Sequence, residues 1–196
     1  YWIGTRIGSD KVTIIDDPAV ETSDGYYLYD DEGIKARPRY LYKNGLLNEF
    51  LQNRETAAKL GTRSNGASRS MNYDREPIVR MSNTYLQPGD MSREEIFEGV
   101  KSGVYMHSFT EWNIDDVRFN QRYVGREAYF IENGELKGPV ARPTIETSTL
   151  NFWMAVDAVS TKLDNVSATC GKGDPSQGAP VYTGGPLMRL REVHIK

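Results

Sequence analysis

Two Asn-Gly dipeptides, each following an aromatic and apolar run, constrain the fold of this chain more than any other local feature. Tyr40–Leu47 and Ala128–Leu136 share the same order: the run, a charged residue, Asn-Gly, and a leucine two residues after the glycine. Asn-Gly supplies the positive φ angles that a two-residue type I′ turn requires. Both segments are therefore predicted to be β-hairpins. Two independent hairpins explain the likeness better than an internal duplication does.

Composition extends this prediction to the whole chain. Tyr, Val, Ile, Thr and Gly recur between closely spaced turn signals, a pattern typical of a mostly β protein. We predict an α+β fold, mainly antiparallel β, arranged as a sandwich or a barrel-like domain with a few peripheral helices. No segment reads as a linker, so residues 1–196 are predicted to form one domain. The chain is long enough to bury a hydrophobic core.

Local capping and turn signals place the smaller elements. Arg54–Leu60 is rich in helix-forming residues and precedes Gly61, a natural residue after a helix end. Ser92 and Glu95 form a capping box that predicts a helix ending at Gly103. A third helix is predicted over about Leu150–Ser160, and the polar stretch Thr62–Asp74 is predicted to be a long mobile or functional loop.

Two further segments near the N-terminus read as strands. Lys11–Ile15 is followed by Asp16-Asp17-Pro18, which would stop a strand. Tyr26–Gly33 reads as a strand that runs into a turn.

Charge and hydropathy exclude some functions. The chain carries a net charge of −3, which gives no basic surface for nucleic acid. No apolar run reaches the length that spans a bilayer, and no secretory signal is visible. A single cysteine cannot form an internal disulfide, which fits a reducing compartment such as the cytoplasm.

The single cysteine, Cys170, stands in the turn-rich stretch Thr169–Gly178. The sequence predicts that it lies in a loop near a surface, where Lys172 would favour the thiolate that acts as nucleophile or metal ligand. A buried, inert cysteine before a turn remains the alternative. The local pattern is not a phosphate loop, because Gly173 stands where that motif needs Ser or Thr after its lysine.

Other chemistry-bearing residues are scattered. His107 and His194 lie far from Cys170 in the sequence, so the chain offers no local set of zinc ligands. The stretch Arg80–Asp90 concentrates small polar side chains beside an arginine. Such groups suit binding of a peptide backbone or a carboxylate. A strand with one polar face explains the same pattern.

Three segments together carry a family resemblance. Arg80–Asp90, Ala128–Gly134 and the Thr169–Lys172 run, the last followed by Gln177 and Pro180-Val181, resemble the C-terminal domain of the TldD/PmbA family. Tyr29–Gly33 and Asn44–Leu47 fit the same order. The resemblance covers roughly residues 16–187. This family was first described as modulators of DNA gyrase and is better known as zinc metallopeptidases.

The resemblance implies a protease built from two homologous proteins. One subunit binds zinc through a His-Glu-x-x-x-His helix and a downstream cysteine, with the glutamate as general base, and the paired subunit lacks the metal ligands. Cys170 matches the cysteine ligand, so the chain resembles the catalytic type. The resemblance also suggests that six residues form part of a groove and hold the substrate backbone there: Arg80, Ser82, Asn83, Thr84, Gly171 and Lys172.

One departure from the family pattern is visible. Phe109–Asp116 replaces the glycine-rich stretch that members usually carry after the second helix.

The chain begins at Tyr1 and lacks a His-Glu-x-x-x-His segment, so we expect it to be a piece of a longer protein. By itself it should neither hydrolyse peptides nor hold zinc tightly. The intact protein would bind zinc, cleave peptide or unfolded protein substrates, and form a heterodimer with a homologous partner subunit. A non-catalytic interaction domain, like the metal-free subunit, is the alternative, and DNA binding is a third option that the acidic charge disfavours.

Overall fold

The computed structural model describes residues 2–196. The helices are α1 (Arg54–Lys59), α2 (Arg93–Glu98) and α3 (Thr149–Met154). The strands are β1 (Ile14–Asp16), β2 (Arg39–Lys43), β3 (Leu46–Leu47), β4 (Ser68–Arg69), β5 (Ile78–Val79), β6 (Asn83–Leu86), β7 (Ser102–Ile114), β8 (Asn120–Glu132), β9 (Glu135–Pro139), β10 (Thr144–Ser148), β11 (Val156–Lys172) and β12 (Gln177–Leu190).

The chain divides into two compact units. Unit 1 comprises the residues up to Thr5 together with Thr13–Gln87 and Leu163–Gly185, and unit 2 comprises Arg6–Val12, Pro88–Lys162 and Pro186–Lys196. None of the helices in the described part of the chain is long and apolar enough to cross a membrane.

Unit 1 is organised around a sheet with the strand order β11-β12-β6-β1-β2-β3. β1 pairs antiparallel with both β2 and β6, whereas β12 runs parallel to β6 over Tyr182–Gly184. β4 and β5 form a separate antiparallel pair. The buried apolar side chains of this unit include Ile15, Leu86 and Val181.

Unit 2 is built on the antiparallel ribbon of β7 and β8, which β10 extends on the far side of β8. β9 also pairs with β8. Its core contains Ile96 and Phe97 of α2, Val124 of β8 and Phe152 of α3. The prediction of an α+β fold with mainly antiparallel strands is confirmed, and the sheets are open rather than closed.

Both predicted Asn-Gly hairpins are confirmed. Asn44 and Gly45 connect β2 to β3 with φ angles of 49° and 75°. Asn133 and Gly134 connect β8 to β9 with φ angles of 51° and 82°. Two successive positive φ angles are the signature of the type I′ turn, which matches the twist of the flanking strands.

The first two predicted helices form where their caps indicate. Asn53 caps α1, and its side chain accepts a hydrogen bond from the Thr56 amide. Ser92 and Glu95 form the expected capping box of α2. The predicted end of α2 at Gly103 is wrong, because the helix ends at Gly99 and Gly103 lies inside β7.

The third predicted helix is too long. α3 ends at Met154, and Val156–Ser160 begins β11 instead of continuing the helix. Val156 and Val159 are β-branched and buried, so the sheet gains more from them than a helix would.

The strand predicted at the start of Tyr26–Gly33 is wrong, whereas the turn predicted at its end is confirmed. Apart from a single bridge between Tyr29 and Lys35, this segment is a turn that Asp30 closes, because its Oδ1 accepts the amides of Glu32 (3.0 Å) and Ile34 (2.8 Å).

Candidate functional site

Cys170 lies in a strand and not in the predicted loop. β11 continues to Lys172, and the connection to β12 consists of the four residues 173–176. Thr169 and Cys170 are compatible with a strand, and β11 pairs with β12 in the sheet. The two strands approach closely, because a Cβ built on Gly178 of β12 would lie 3.1 Å from the Thr169 side chain. The loop prediction relied on flanking glycines, which the sheet accommodates. Cys170 is partly exposed and forms no disulfide.

Arg80 anchors the backbone at Cys170. Its side chain is buried, with the residue 1% exposed. Nη2 donates to the carbonyl oxygen of Cys170 at the end of β11, and Nη1 donates to the carbonyl of Gln177 at the start of β12 (2.9 Å). One guanidinium therefore ties both strands of this hairpin to the segment between β5 and β6. The predicted proximity of Arg80 to Cys170 is confirmed, although the contact is to the backbone and not to the sulfur.

Gln177 fixes a second segment against the same hairpin. Its Oε1 accepts the amide of Met71 (2.9 Å), and its Nε2 donates to the carbonyl of Glu76 (2.8 Å). Gln177 is 2% exposed. It holds part of the predicted long loop in place, and residues 62–74 also contain strand β4.

Lys172 and Gly171 provide the exposed part of the site. Lys172 Nζ donates to the carbonyl of Val79 (2.7 Å), next to Arg80. Burial lowers the pKa of the Lys172 ammonium and the positive charge of Arg80 lowers it further, against an opposing effect of Cys170. A Cβ at Gly171 would meet no atom within 4 Å, so space is open at this position on the face of β11 opposite Cys170 and Lys172.

Ser82, Asn83 and Thr84 face a buried ionic centre. The carboxylate of Asp16 accepts the Ser82 amide (2.7 Å), the Ser82 hydroxyl (2.6 Å) and the Thr84 hydroxyl (2.7 Å). Asn83 donates to the carbonyl of Asp17 (2.6 Å) and accepts the Gly25 amide (3.1 Å). These side chains fix the position of β6 in the sheet, and their predicted role in holding substrate stays a prediction.

The cation of this centre is Arg39. It forms an ion pair with Asp16, and neither side chain is exposed. Arg39 also donates to the Tyr27 hydroxyl (3.1 Å), which donates in turn to the Gly66 carbonyl (2.7 Å). Burial raises the pKa of the Tyr27 phenol, so it stays neutral. Burial alone would lower the pKa of Arg39, but Asp16 and Tyr27 raise it, and the guanidinium stays charged.

Sequence reasoning missed Asp16 and Arg39. Asp16 looked like a strand-stopping residue, and Arg39 lies 23 residues away from it. The signal that could have suggested them is weak: a carboxylate directly after the apolar pair Ile14-Ile15, and an arginine at the start of an aromatic strand.

The described residues do not form a metal site by themselves. No group of three or more His, Cys, Asp and Glu side chains comes together anywhere in 2–196. His107 and His194 belong to unit 2, whereas Cys170 belongs to unit 1. A partly exposed thiol on a fixed strand suits one ligand position of zinc, and further ligands would have to come from outside this chain.

A separate depression lies in unit 2. It has a volume of about 730 Å³ and contains none of the predicted site residues. Its polar lining includes Asn113, Arg122, Glu146 and Asn151.

Comparison with curated proteins gives several similar sequences. A metalloprotease of Methanothermobacter thermautotrophicus is 38% identical over 193 residues, which is 98% of this chain and 42% of that protein. A zinc metalloprotease TldD homolog of Saccharolobus solfataricus is 32% identical over 191 residues, or 97% of this chain and 42% of that protein. The chain thus spans about two fifths of the length of these relatives.

Solved structures share the fold. TldE from Thermococcus kodakarensis aligns with a TM-score of 0.77 at 22% identity, covering 98% of this chain and 41% of TldE. A Thermotoga maritima protein described as a candidate modulator of a DNA gyrase also aligns with a TM-score of 0.77, at 23% identity, covering 99% and 41%.

The sequence profile of the PmbA/TldA metallopeptidase C-terminal domain matches residues 2–196. With this match and relatives above 30% identity over nearly its whole length, the chain belongs to the TldD/PmbA metallopeptidase family, in which it corresponds to the C-terminal domain.

Proposed function

We propose that this chain is the C-terminal domain of a TldD-type zinc metallopeptidase and that Cys170 is one of its zinc ligands. The observation that carries the proposal is Cys170 itself. The residue is partly exposed on a strand of a metallopeptidase-family domain, and Arg80 holds its backbone in place. A relative with 32% identity is named a zinc metalloprotease.

When bound, zinc would supply a Lewis acid that polarises a peptide carbonyl and lowers the pKa of a bound water. The residues of this chain do the positioning. Arg80 fixes the carbonyl of Cys170 and thereby the direction in which the thiol points. Lys172 lies two residues beyond Cys170 on β11, so its side chain is on the same face as the thiol, where its ammonium donates to the Val79 carbonyl. Ser82, Asn83 and Thr84 fix the position of β6, which pairs with β12 of this hairpin, and Arg80 ties the preceding segment to the hairpin.

The other metal ligands and the general base would come from outside residues 1–196, so this chain alone would be inactive and would not retain zinc. The substrate would be a peptide or an unfolded protein. A homologous subunit would complete a heterodimer, as the family resemblance implies. The protein would work in the cytoplasm, where its single thiol stays reduced.

The alternative is that this chain comes from the non-catalytic subunit. The fold likeness to TldE supports this alternative no more and no less than it supports the catalytic subunit, because a structure at 22% identity reports the fold alone. Cys170 separates the two proposals, since a metal-free subunit has no need of a thiol ligand.

The test is Cys170→Ala in the full-length protein, beside Ser167→Ala, which truncates an exposed residue on the same strand. We expect Cys170→Ala to lose both bound zinc and peptide hydrolysis, because losing one of three protein ligands leaves a site that holds zinc weakly. Ser167→Ala should retain both. The melting temperature of the metal-free proteins should change little, since Arg80 bonds the backbone and not the sulfur.

Zinc content by elemental analysis and hydrolysis of a labelled peptide, both with the partner subunit present, decide the assignment. Full zinc occupancy and activity in Cys170→Ala would refute it. Loss of activity with a large drop in the melting temperature of the metal-free protein would assign Cys170 a structural role instead.

A further inference from the structure

Three cations converge at the end of the β11–β12 hairpin: Arg69, Arg80 and Lys172, here called the cationic cluster. Arg80 lies at its centre. Lys172 donates to the carbonyl of Val79, immediately before Arg80 (2.7 Å), and Arg69 donates to the carbonyl of Met81, immediately after it (2.8 Å). All these residues belong to unit 1.

The hydrogen-bond partners of the cationic cluster are neutral. Arg80 bonds the carbonyls of Cys170 and Gln177, and Arg69 also bonds the carbonyl of Pro180 (3.0 Å). Within the described residues, no carboxylate lies within ion-pair distance of any member of the cluster. Carbonyl oxygens satisfy the N–H groups but do not neutralise the charge.

Two other arginines whose side chains are largely removed from water form ion pairs with carboxylates. Arg39 pairs with Asp16, and Arg189 pairs with Asp157 (2.9 Å). Charged groups removed from water are normally paired, because an unpaired charge keeps most of its desolvation cost. The cationic cluster is therefore an exception in a chain whose net charge is −3.

The electrostatic environment of Arg69 and Arg80 agrees with the absence of a paired carboxylate. Burial lowers the pKa of the Arg69 guanidinium, and repulsion from Arg80 adds to this effect. Tyr27, whose ring lies 5.3 Å from the Arg69 guanidinium, and Asp16 oppose this effect more strongly than Arg80 adds to it, and Asp31 also opposes it, but each acts more weakly than burial does. The Nε of Arg80 is buried and has no hydrogen-bond partner within the described structure. The cluster as it stands has more positive charge and donor capacity than its surroundings satisfy.

We propose that the cationic cluster binds a carboxylate group of the peptide ligand, a step that rests on the proposed function. Lys172 is exposed and Arg69 is half-buried, so these two side chains reach the ligand, while the buried Arg80 contributes its field. An ammonium has three donors and a guanidinium five, so Lys172 and Arg69 can each keep their carbonyl bonds and still donate to a carboxylate.

A carboxylate on a peptide has two sources, the C-terminus and an acidic side chain. Three fluorescent peptides of one sequence distinguish them: one with a free C-terminus, one amidated and neutral, and one amidated with an internal glutamate. Their dissociation constants are measured by anisotropy with the full-length protein in the presence of a chelator. Binding is thus read without zinc and without hydrolysis.

We expect wild type to bind at least one carboxylate-bearing peptide about tenfold or more tightly than the neutral peptide, since a hydrogen bond to a charged group contributes about 1.5–3 kcal/mol. Lys172→Met should lose this preference, and Lys172→Arg should keep most of it. Lys35→Met, which removes an exposed lysine elsewhere in unit 1, should not change it. For each variant, the affinity for the neutral peptide is the reference against which the carboxylate preference is measured.

A preference limited to the free C-terminus assigns the C-terminal carboxylate, and a preference limited to the glutamate peptide assigns an acidic side chain. Equal binding of all three peptides by wild type, or a preference that survives Lys172→Met in a protein with unchanged thermal unfolding, would overturn the proposal. Failure of the zinc-loaded protein to hydrolyse any peptide would refute the proposed function but would leave these binding results as they stand.

Discussion

The buried pair of Asp16 and Arg39 should dominate the stability of unit 1, and its two halves should not be equivalent. Removing one partner of a buried ion pair generally costs about 3–5 kcal/mol, because the remaining charge stays desolvated. Both side chains are fully buried here. The groups that remain around each charge decide where in that range each variant falls.

Arg39→Met leaves the Asp16 carboxylate with three donors: the Ser82 amide, the Ser82 hydroxyl and the Thr84 hydroxyl, all within 2.7 Å. We expect a loss of about 3 kcal/mol in the free energy of unfolding. Asp16→Asn should cost more, about 5 kcal/mol, because it leaves the Arg39 guanidinium among neutral acceptors. It also turns one acceptor oxygen into a donor that faces the Ser82 and Thr84 donors.

The double variant Asp16→Asn/Arg39→Met should lose less than the sum of the single variants, by about 2 kcal/mol. The measurement is urea unfolding of all four proteins, with hydrogen exchange of the Ser82 amide as a probe local to unit 1. This amide is buried and bonds Asp16 directly, so it reports on the pair itself. Single losses below about 1 kcal/mol, or additive losses in the double variant, would show that the ion pair does not hold this sheet together.

Two further predictions concern acid and zinc. Burial would raise the pKa of Asp157, but hydrogen bonds from Arg189 and Arg191 lower it overall, so its stabilising effect is complete above the pKa of an unfolded aspartate and is lost as the pH falls through the lower folded value. Asp157→Asn should therefore weaken the acid dependence of the melting temperature between about pH 5 and pH 2, and an unchanged pH profile would contradict this. The 196-residue chain produced alone should hold no stoichiometric zinc and cleave no peptide, because its described residues bring no ligand cluster together. Elemental analysis showing one tightly bound zinc per chain would refute the idea that the site is completed from outside.

Local signals predicted the parts of the fold that local chemistry controls. The Asn44-Gly45 and Asn133-Gly134 turns need only their own positive φ angles, and the capping box of Ser92 needs only Glu95 three residues later. Such features can be predicted from short stretches because every interacting group lies within them.

The features that sequence reasoning missed depend on distant residues. Cys170 lies within strand β11 because β12 pairs beside it, although its glycine neighbours indicate a loop. α3 ends at Met154 because Val156 and Val159, which follow it, belong to strand β11. Asp16 meets Ser82 across 66 residues, and Arg80 meets Cys170 across 90. The proposed zinc site also depends on ligands and a general base from outside this chain. These 196 residues cannot reveal those groups.

The bond between Arg80 and the carbonyl of Cys170 has a consequence for protein engineering. Because the anchor bonds the main chain, it does not depend on which side chain stands at position 170. A replacement such as histidine or aspartate would project from the same fixed point on β11. In the proposed zinc site, exchanging this soft sulfur donor for a nitrogen or oxygen donor would change the range of metals that the site accepts.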